Sequence, residues 1–309
     1  MRVLSQIRGA LAAQVADAVP EVEVVPIPRD GDLAAEVEGE VLLTFPWGAP
    51  NLAEVLGRGV RWIHVLGTGI DAFPRHVLAG QRLTCSRGAS AIPISEWVLA
   101  TMLAFEKQLP EAWIGAPPAS GWNRGALGTL YGKTLGLVGL GGIGTAVAER
   151  AQPFGMHVRA FRRTATASPL QGVTLVGSLP ELVASSDHVV IAAPLTPATH
   201  HLFSRDLFGV IKPGAHLVNV ARGGLVDHDA LRVALDTERI ARASLDAVDP
   251  EPLPAGHWLY RHARVRLSPH ISWSMPEAAD LLLDAFIDNL RRYMRGQPLT
   301  GVVDLSQGY

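Results

Sequence analysis

The sequence holds a single cysteine, Cys85, so an internal disulfide framework is excluded and a reducing compartment fits. A lone thiol of this kind reads as a small core residue, not as a nucleophile. Long apolar runs are also missing, since no stretch approaches the roughly 18 residues that a membrane helix needs. Neither sign of charge dominates: 27 basic against 29 acidic residues leave a formal net charge of −2. With no basic block to track a phosphate backbone, nucleic acid is excluded as an expected partner. Apolar residues make up 48% and charged residues 18%, which excludes wholesale disorder. No internal repeat of fixed period is present. The opening stretch, MRVLSQIRGALAAQVADAVP, is interrupted by Arg8, Gln14 and Asp17. It therefore reads as a strand and an amphipathic helix, not as a secretion signal. A cytoplasmic protein without a membrane partner is the expectation.

A chain of 309 residues is long enough for two domains. MRVLSQI, VEVVPIP, EVLLTF, RWIHVLG and QRLTCS are short apolar or alternating runs separated by helical or turn sequence, the pattern of a parallel sheet wrapped by helices. A long buried helix is predicted from Ile94 to Lys107, after Pro93. The Pro- and Gly-rich stretch QLPEAWIGAPPASGWNRGALGTLYGK then reads as a connection between domains. The alternation restarts with TLGLVGLG and continues through MHVRAFR, TLV, HVVIAA, HLVNVA, ARASLDAV and VRLSPH. A long amphipathic helix, SMPEAADLLLDAFIDNLRRYMRG, comes last. Two α/β domains are expected, with the glycine-rich turn opening the second.

That turn, LGLVGLGGIGTAVAER, places Gly139, Gly141 and Gly144 at the positions of a dinucleotide-binding turn between strand and helix. The first glycine allows the tight turn, the second lets a pyrophosphate approach the backbone, and the third lets helix and strand pack closely. Free N–H groups at the helix start, around Gly142 and Ile143, then face the phosphates. A NAD-binding unit usually carries Asp or Glu about 20 residues further on, at the end of the next strand. Here Arg162 takes that position, followed by Arg163 and Thr164. Guanidinium groups suit the 2′-phosphate of NADP through charge-assisted bonds. NADP(H) is therefore the expected cofactor, with NAD(H) possible.

Three later segments each follow a strand with a polar residue of catalytic type. They are HLVNVARGGLVDHDAL with Arg222, ASLDAVDPEPLP with Asp246 and Glu251, and VRLSPHIS with His270. Taken singly, each has an ordinary structural explanation: a turn cap, a surface carboxylate, a core histidine. Ligands in open α/β sheets bind at the carboxyl ends of strands, so the three could converge. Arginine would then hold a substrate carboxylate and polarise its carbonyl. Histidine would supply a proton as hydride arrives, and the carboxylate would keep that histidine protonated near neutral pH. The chemistry calls for no metal.

GKTLGLVGLGGIG, HVVIAAPLTPATHHLF, KPGAHLVNVARGGLVDHDAL, LDAVDPEPLP and LSPHISW together resemble the D-isomer-specific 2-hydroxyacid dehydrogenases. The resemblance is weakest before about residue 60. It implies two flavodoxin/Rossmann-like domains with parallel sheets and an active site in the interdomain cleft. Residues 1–95 would be the substrate-binding domain, completed by 276–309, and residues 96–275 the dinucleotide-binding domain. The family's catalytic Arg, Glu and His match Arg222, Glu251 and His270, and its aspartate facing the nicotinamide carboxamide matches Asp246. Its substrate-carboxylate loop matches VLGTGID, around Gly67, Thr68 and Gly69; an ordinary turn with Asp71 capping a helix stays open beside that. Pro194 matches the family's loop beneath the cofactor, and Trp47 and Trp273 are candidates for the substrate pocket.

Several positions depart from the family pattern. Arg162 replaces the usual acidic residue and resembles the NADPH-using reductases, and Met275 stands where many members carry Thr. Glu251 differs from the glutamine of the formate-oxidising branch. No regulatory extension is expected after GVVDLSQGY. The reading is a homodimeric NADPH-dependent reductase of small 2-keto acids, of the glyoxylate/hydroxypyruvate type. A dinucleotide-sensing corepressor-like protein and a dehydrogenase for another substrate, such as 3-phosphoglycerate, are the alternatives.

Overall fold

Strands and helices alternate along the chain in this computed structural model, which describes residues 1–117, 121–123, 125–163, 168 and 170–309. The first part runs β1 (Arg2–Ser5), α1 (Ala10–Ala18), β2 (Glu23–Pro26), β3 (Val41–Thr44), α2 (Leu52–Leu56), β4 (Trp62–Val65) and β5 (Arg82–Cys85). Then come α3 (Ala91–Glu106), β6 (Thr134–Val138), α4 (Gly142–Ala151), β7 (His157–Phe161), β8 (Val173–Leu175), α5 (Leu179–Ser185) and β9 (His188–Ile191). Last are α6 (Arg205–Val210), β10 (Ala215–Asn219), α7 (His228–Asp236), β11 (Ile240–Leu245), β12 (Val265–Leu267) and α8 (Ala278–Met294). Every predicted strand is present. The helix expected after Pro93 starts earlier, at Ala91, because a proline in the first turn lacks only an N–H that has no partner there anyway.

One unit comprises Met1–Ser90 with Met275–Tyr309, the other Ala91–Ser274. The Pro- and Gly-rich stretch after α3 is therefore not a connection between units, as its composition suggested. It joins α3 to β6 inside the second unit, where Gly128 N–H donates to Glu106 O at 2.9 Å and Lys107 Nζ to Gly128 O at 2.7 Å. Arg266 pairs with Glu111 in the same stretch.

In the first unit all strands are parallel, in the order β2-β1-β3-β4-β5. Alternate strand residues feed two cores: Leu4, Leu42 and Ile63 one, and Val3, Val41, Leu43 and Trp62 the other. Period-2 side chains buried on both faces explain why these strands read as apolar runs. α8 covers the second core with Leu283, Phe286, Ile287 and Leu290, a helical face that contributes roughly 1.5–3 kcal/mol per fully buried side chain. Beneath it, His64 shares hydrogen bonds with Thr84 Oγ1 (2.8 Å) and Ser86 Oγ (3.1 Å), and Ser86 donates to Leu282 O. Burial pushes the His64 imidazole down to about 3. Cys85 is buried and free, a core residue as expected.

The second unit carries a parallel sheet in the order β12-β11-β10-β9-β6-β7-β8. The order reverses between β6 and β9, and such a switch point leaves a crevice at the carboxyl ends of the two strands. Val138, Val189, Ile191 and Leu217 enter one core while Leu137, Val190 and Val218 enter the other. Among the described residues, no helix is long and apolar enough to cross a membrane.

Candidate active site

The glycine turn follows β6 at the switch point. Gly139 has φ +101°, and a Cβ there would lie 2.7 Å from Ala192 O, just past the end of β9. A Cβ on Gly144 would come within 2.3 Å of Gly139 O. At Gly141, by contrast, a Cβ would meet nothing within 4 Å. Two glycines thus fold the turn and the middle one leaves its backbone open to an approaching group. Gly141 begins α4 without a side-chain cap, and Gly142 and Ile143 open the helix, so the first-turn N–H groups suit an anion. The residues present fit a dinucleotide pyrophosphate.

Gly139 N–H donates to Phe161 O at 2.9 Å, which ties the turn to the end of β7. Arg162, half-buried, and Arg163, exposed, come directly after that strand. Thr164 lies outside the described residues. Pro194 stands shortly after β9, and its carbonyl accepts from Thr199 Oγ1 at 2.8 Å.

The three polar segments lie on one side of the same sheet, following β10, β11 and β12. β10 ends at Asn219, not at Arg222. Asn219 is 1% exposed; its Oδ1 accepts from Ala221 N–H (3.1 Å) and its Nδ2 donates to Arg222 O (2.9 Å). Asn219 thereby shapes the bend that presents Arg222, which is half-buried. Gly223 follows, and a Cβ there would lie 1.9 Å from Val248 C and 2.3 Å from Asp249 N. Only glycine lets the arginine segment touch the backbone that leads to Glu251.

Glu251 Oε1 accepts from Val248 N–H at 3.1 Å, and Oε2 meets His270 Nδ1 at 2.8 Å. Both side chains keep over a third of their surface exposed, 38% and 36%. His270 has φ +54°, which costs about 1 kcal/mol or more for a non-glycine residue. Its backbone is held on both sides: His270 N–H donates to Asp246 O at 3.0 Å, and Trp273 Nε1 donates to His270 O at 2.8 Å. Asp246 is 1% exposed. Its Oδ1 accepts from Ser268 Oγ (2.5 Å) and Ile271 N–H (2.9 Å), and its Oδ2 from Ser272 N–H (3.0 Å). The sequence cast Asp246 as facing a cofactor; the structure shows its carboxylate fixing the loop that carries His270.

In the first unit, the Gly67–Gly69 loop follows β4. Gly67 N–H already donates to Val65 O at 2.9 Å, which leaves Thr68 and Gly69, exposed and half-buried, to offer N–H groups. Asp71 caps no α-helix: only a short 3-10 turn, Arg75–Val77, follows, and Pro74 caps it. Trp47 is 56% exposed and stacks on Phe45 at 5.1 Å; Trp273 is 41% exposed. Sequence reasoning missed Asn219, Ser268 and the close contact of Gly223. An Asn and a Gly-Gly pair flanking a candidate arginine at a strand end were the available signal.

The family model "D-isomer specific 2-hydroxyacid dehydrogenase, NAD binding domain" matches residues 99–272. The human glyoxylate reductase/hydroxypyruvate reductase is 31% identical over 82% of this chain and 80% of its own. The D-3-phosphoglycerate dehydrogenase of Methanocaldococcus jannaschii is 30% identical over 95% of this chain. The chain spans 57% of that protein and 41% of its Bacillus subtilis counterpart. A D-isomer specific 2-hydroxyacid dehydrogenase from Xanthobacter autotrophicus Py2, solved with NADPH and MES, is 28% identical. It superimposes with a TM-score of 0.81 over 100% of this chain and 99% of its own. A family-specific match over more than half the residues, laid on this sheet order and this Arg–Glu–His arrangement, makes the chain a member of the D-isomer specific 2-hydroxyacid dehydrogenase family.

Proposed function

We propose that the protein is a cytoplasmic, NADPH-preferring reductase that converts small 2-keto acids of the glyoxylate/hydroxypyruvate type to D-2-hydroxy acids. The observation that carries this reading is the His270 Nδ1–Glu251 contact of 2.8 Å, on a loop whose backbone Asp246 holds. A nicotinamide dinucleotide bound at the glycine turn supplies the hydride. Arg222 pairs with the acid's carboxylate and polarises its carbonyl, and Thr68 and Gly69 N–H groups bind the same carboxylate. With Nδ1–H given to Glu251, His270 has Nε2 left to donate. Its proton passes to the carbonyl oxygen as that oxygen gains charge. Glu251 favours the imidazolium before transfer and keeps the remaining proton on Nδ1 afterwards.

Arg162 and Arg163 support NADPH over NADH, because a 2′-phosphate offers a guanidinium charge-assisted bonds that a hydroxyl does not. Arg162→Ser is expected to raise the KM for NADPH roughly 10- to 100-fold and leave that for NADH nearly unchanged. Equal loss with both dinucleotides would contradict the assignment. A homodimer completes the reading, with exposed Trp113 (73%), Trp122 (75%) and Tyr131 (76%) as side chains it would cover.

The test of the activity is loss of nicotinamide absorbance with NADPH and NADH against glyoxylate, hydroxypyruvate, pyruvate and phenylpyruvate. Turnover of the short acids supports the proposal. Tight dinucleotide binding with no turnover of any acid would overturn it in favour of a dinucleotide-sensing protein.

A further inference from the structure

The first unit has its own switch point, between β1 and β3, where the strand order reverses, and its carboxyl end is built around one arginine. Thr44 Oγ1 donates to Gln6 Oε1 (2.6 Å), and Gln6 Nε2 donates to Asn51 Oδ1 (3.0 Å). Asn51 Nδ2 then donates to Pro28 O (3.1 Å) and Gly31 O (3.2 Å). Gln6 and Thr44 are 2% and 0% exposed. This buried chain pins the loop after β2 on both sides of Arg29, and nothing in the sheet itself requires an arginine there.

The guanidinium of Arg29 lies 4.7 Å from the ring centre of Phe45 and 5.8 Å from that of Trp47. Its Nε is buried and has no hydrogen-bond partner among the described residues. A buried donor left unpaired is costly unless a ligand completes it. The aromatic pair fixes the plane of the guanidinium and leaves its edge to bind an oxyanion. Between the two rings in sequence stands Pro46, which packs onto the substrate loop: a Cβ on Gly67 would lie 2.5 Å from Pro46 Cγ.

We infer that Arg29 is a specificity-determining residue that recognises a second anionic group at the far end of the keto acid. Phe45 and Trp47 act as its positioning platform. The inference deepens the proposed function and rests on that reading only for the placing of the 2-keto end at Thr68 and Gly69. A distal carboxylate and a distal phosphate present the same oxyanion chemistry to a guanidinium.

The test compares matched pairs that differ only in the distal anion: pyruvate with oxaloacetate, and hydroxypyruvate with its 3-phosphate. For the wild-type chain with NADPH, kcat/KM should be at least roughly 10-fold higher for one anionic member of a pair. Whichever pair shows it identifies carboxylate or phosphate as the preferred group. Arg29→Gln should abolish that advantage and change turnover of pyruvate and hydroxypyruvate less than about threefold; Arg29→Lys should recover part of it. No advantage in the wild type, or equal losses on both members of each pair, would overturn the inference.

Equilibrium binding of the same four acids, followed by calorimetry without dinucleotide, separates the two layers of the argument. Tighter binding of an anionic member that Arg29→Gln removes, without turnover of any acid, would keep Arg29 and sink the reductase reading. Turnover of the short acids with no effect of Arg29→Gln on either anionic member would keep the reductase and sink Arg29.

Discussion

The same strands of the second unit bury polar side chains at both ends, and the two ends are built differently. At the amino ends, Lys133 Nζ meets Glu106 Oε1 at 2.5 Å and His188 Nε2 meets the same oxygen at 3.0 Å. His188 Nδ1 then meets His216 Nδ1 (3.2 Å), and His216 Nε2 meets Ser244 Oγ (2.9 Å). Glu106, His188, His216 and Ser244 are all at most 4% exposed, and each imidazole nitrogen has a partner. At the carboxyl ends, Asn219 and Asp246 are equally buried. Their hydrogen bonds lead outward, to loops that leave Arg222 and His270 half-buried and Glu251 exposed. A buried network that closes on itself holds strands together; one that ends on half-exposed titratable groups holds them ready for a ligand.

Breaking the closed end should give the largest loss of stability. Glu106→Ala leaves His188 and Lys133 without their shared acceptor and is expected to cost about 3–5 kcal/mol. KM values for acid and dinucleotide should stay close to wild type. Chemical denaturation beside steady-state kinetics checks both halves, and loss of turnover without loss of stability would reverse the assignment of that end.

At the open end, the expected stability effect is smaller and the kinetic one greater. Gly223→Ala forces a methyl group against Val248 and Asp249, an overpacking worth about 1–3 kcal/mol. Displacing Arg222 from Glu251 and His270 should also lower kcat/KM roughly 100-fold or more. Full activity in a destabilised variant would show that the contact only packs the loops.

Acid should act through the closed networks first. Burial holds His216 well below its ordinary value, helped by the nearby His188, Arg242 and Lys133, and it holds His64 at about 3. In the unfolded chain both imidazoles take up a proton below about 6.5, so the unfolded state binds more protons there. Stability is therefore intact at neutral pH and falls as pH drops from 6.5 toward 3, by about 1.4 kcal/mol per pH unit for each histidine. Burial alone would raise the Glu106 carboxyl, but hydrogen bonds from His188 and Lys133 outweigh it and hold it below its ordinary value. Its contribution is present above 4.5 and is lost as pH falls through the lower folded value. Unfolding free energies measured across that range should decline steadily; a flat profile would mean these groups are not the ones that titrate.

The strands were legible because β-rich apolar runs buried on both faces leave an unbroken signature, as in HVVI and HLVN. The glycine turn was legible because its three glycines do three backbone jobs at fixed spacing. Arg222, Glu251 and His270 could be picked out by residue type after strands. The sequence did not show that the stretch after α3 folds back on Glu106, since hydrogen bonds to Gly128 carry no local pattern. It did not show Asn219 or the carboxylate of Asp246 as builders of the site, because a buried polar residue at a strand end looks the same whether it meets a ligand or a neighbouring loop. Arg29 was passed over for a similar reason: its partners, Phe45 and Trp47, come from a different strand end.

The most direct test of the central claim is His270→Ala, assayed for turnover of a short 2-keto acid and for equilibrium binding of NADPH. Loss of the proton donor should lower kcat roughly 10²- to 10⁴-fold, with the dissociation constant of the dinucleotide changed less than about twofold. Near-normal turnover in that variant would contradict the account, because the Glu251-held imidazole would then not be the acid.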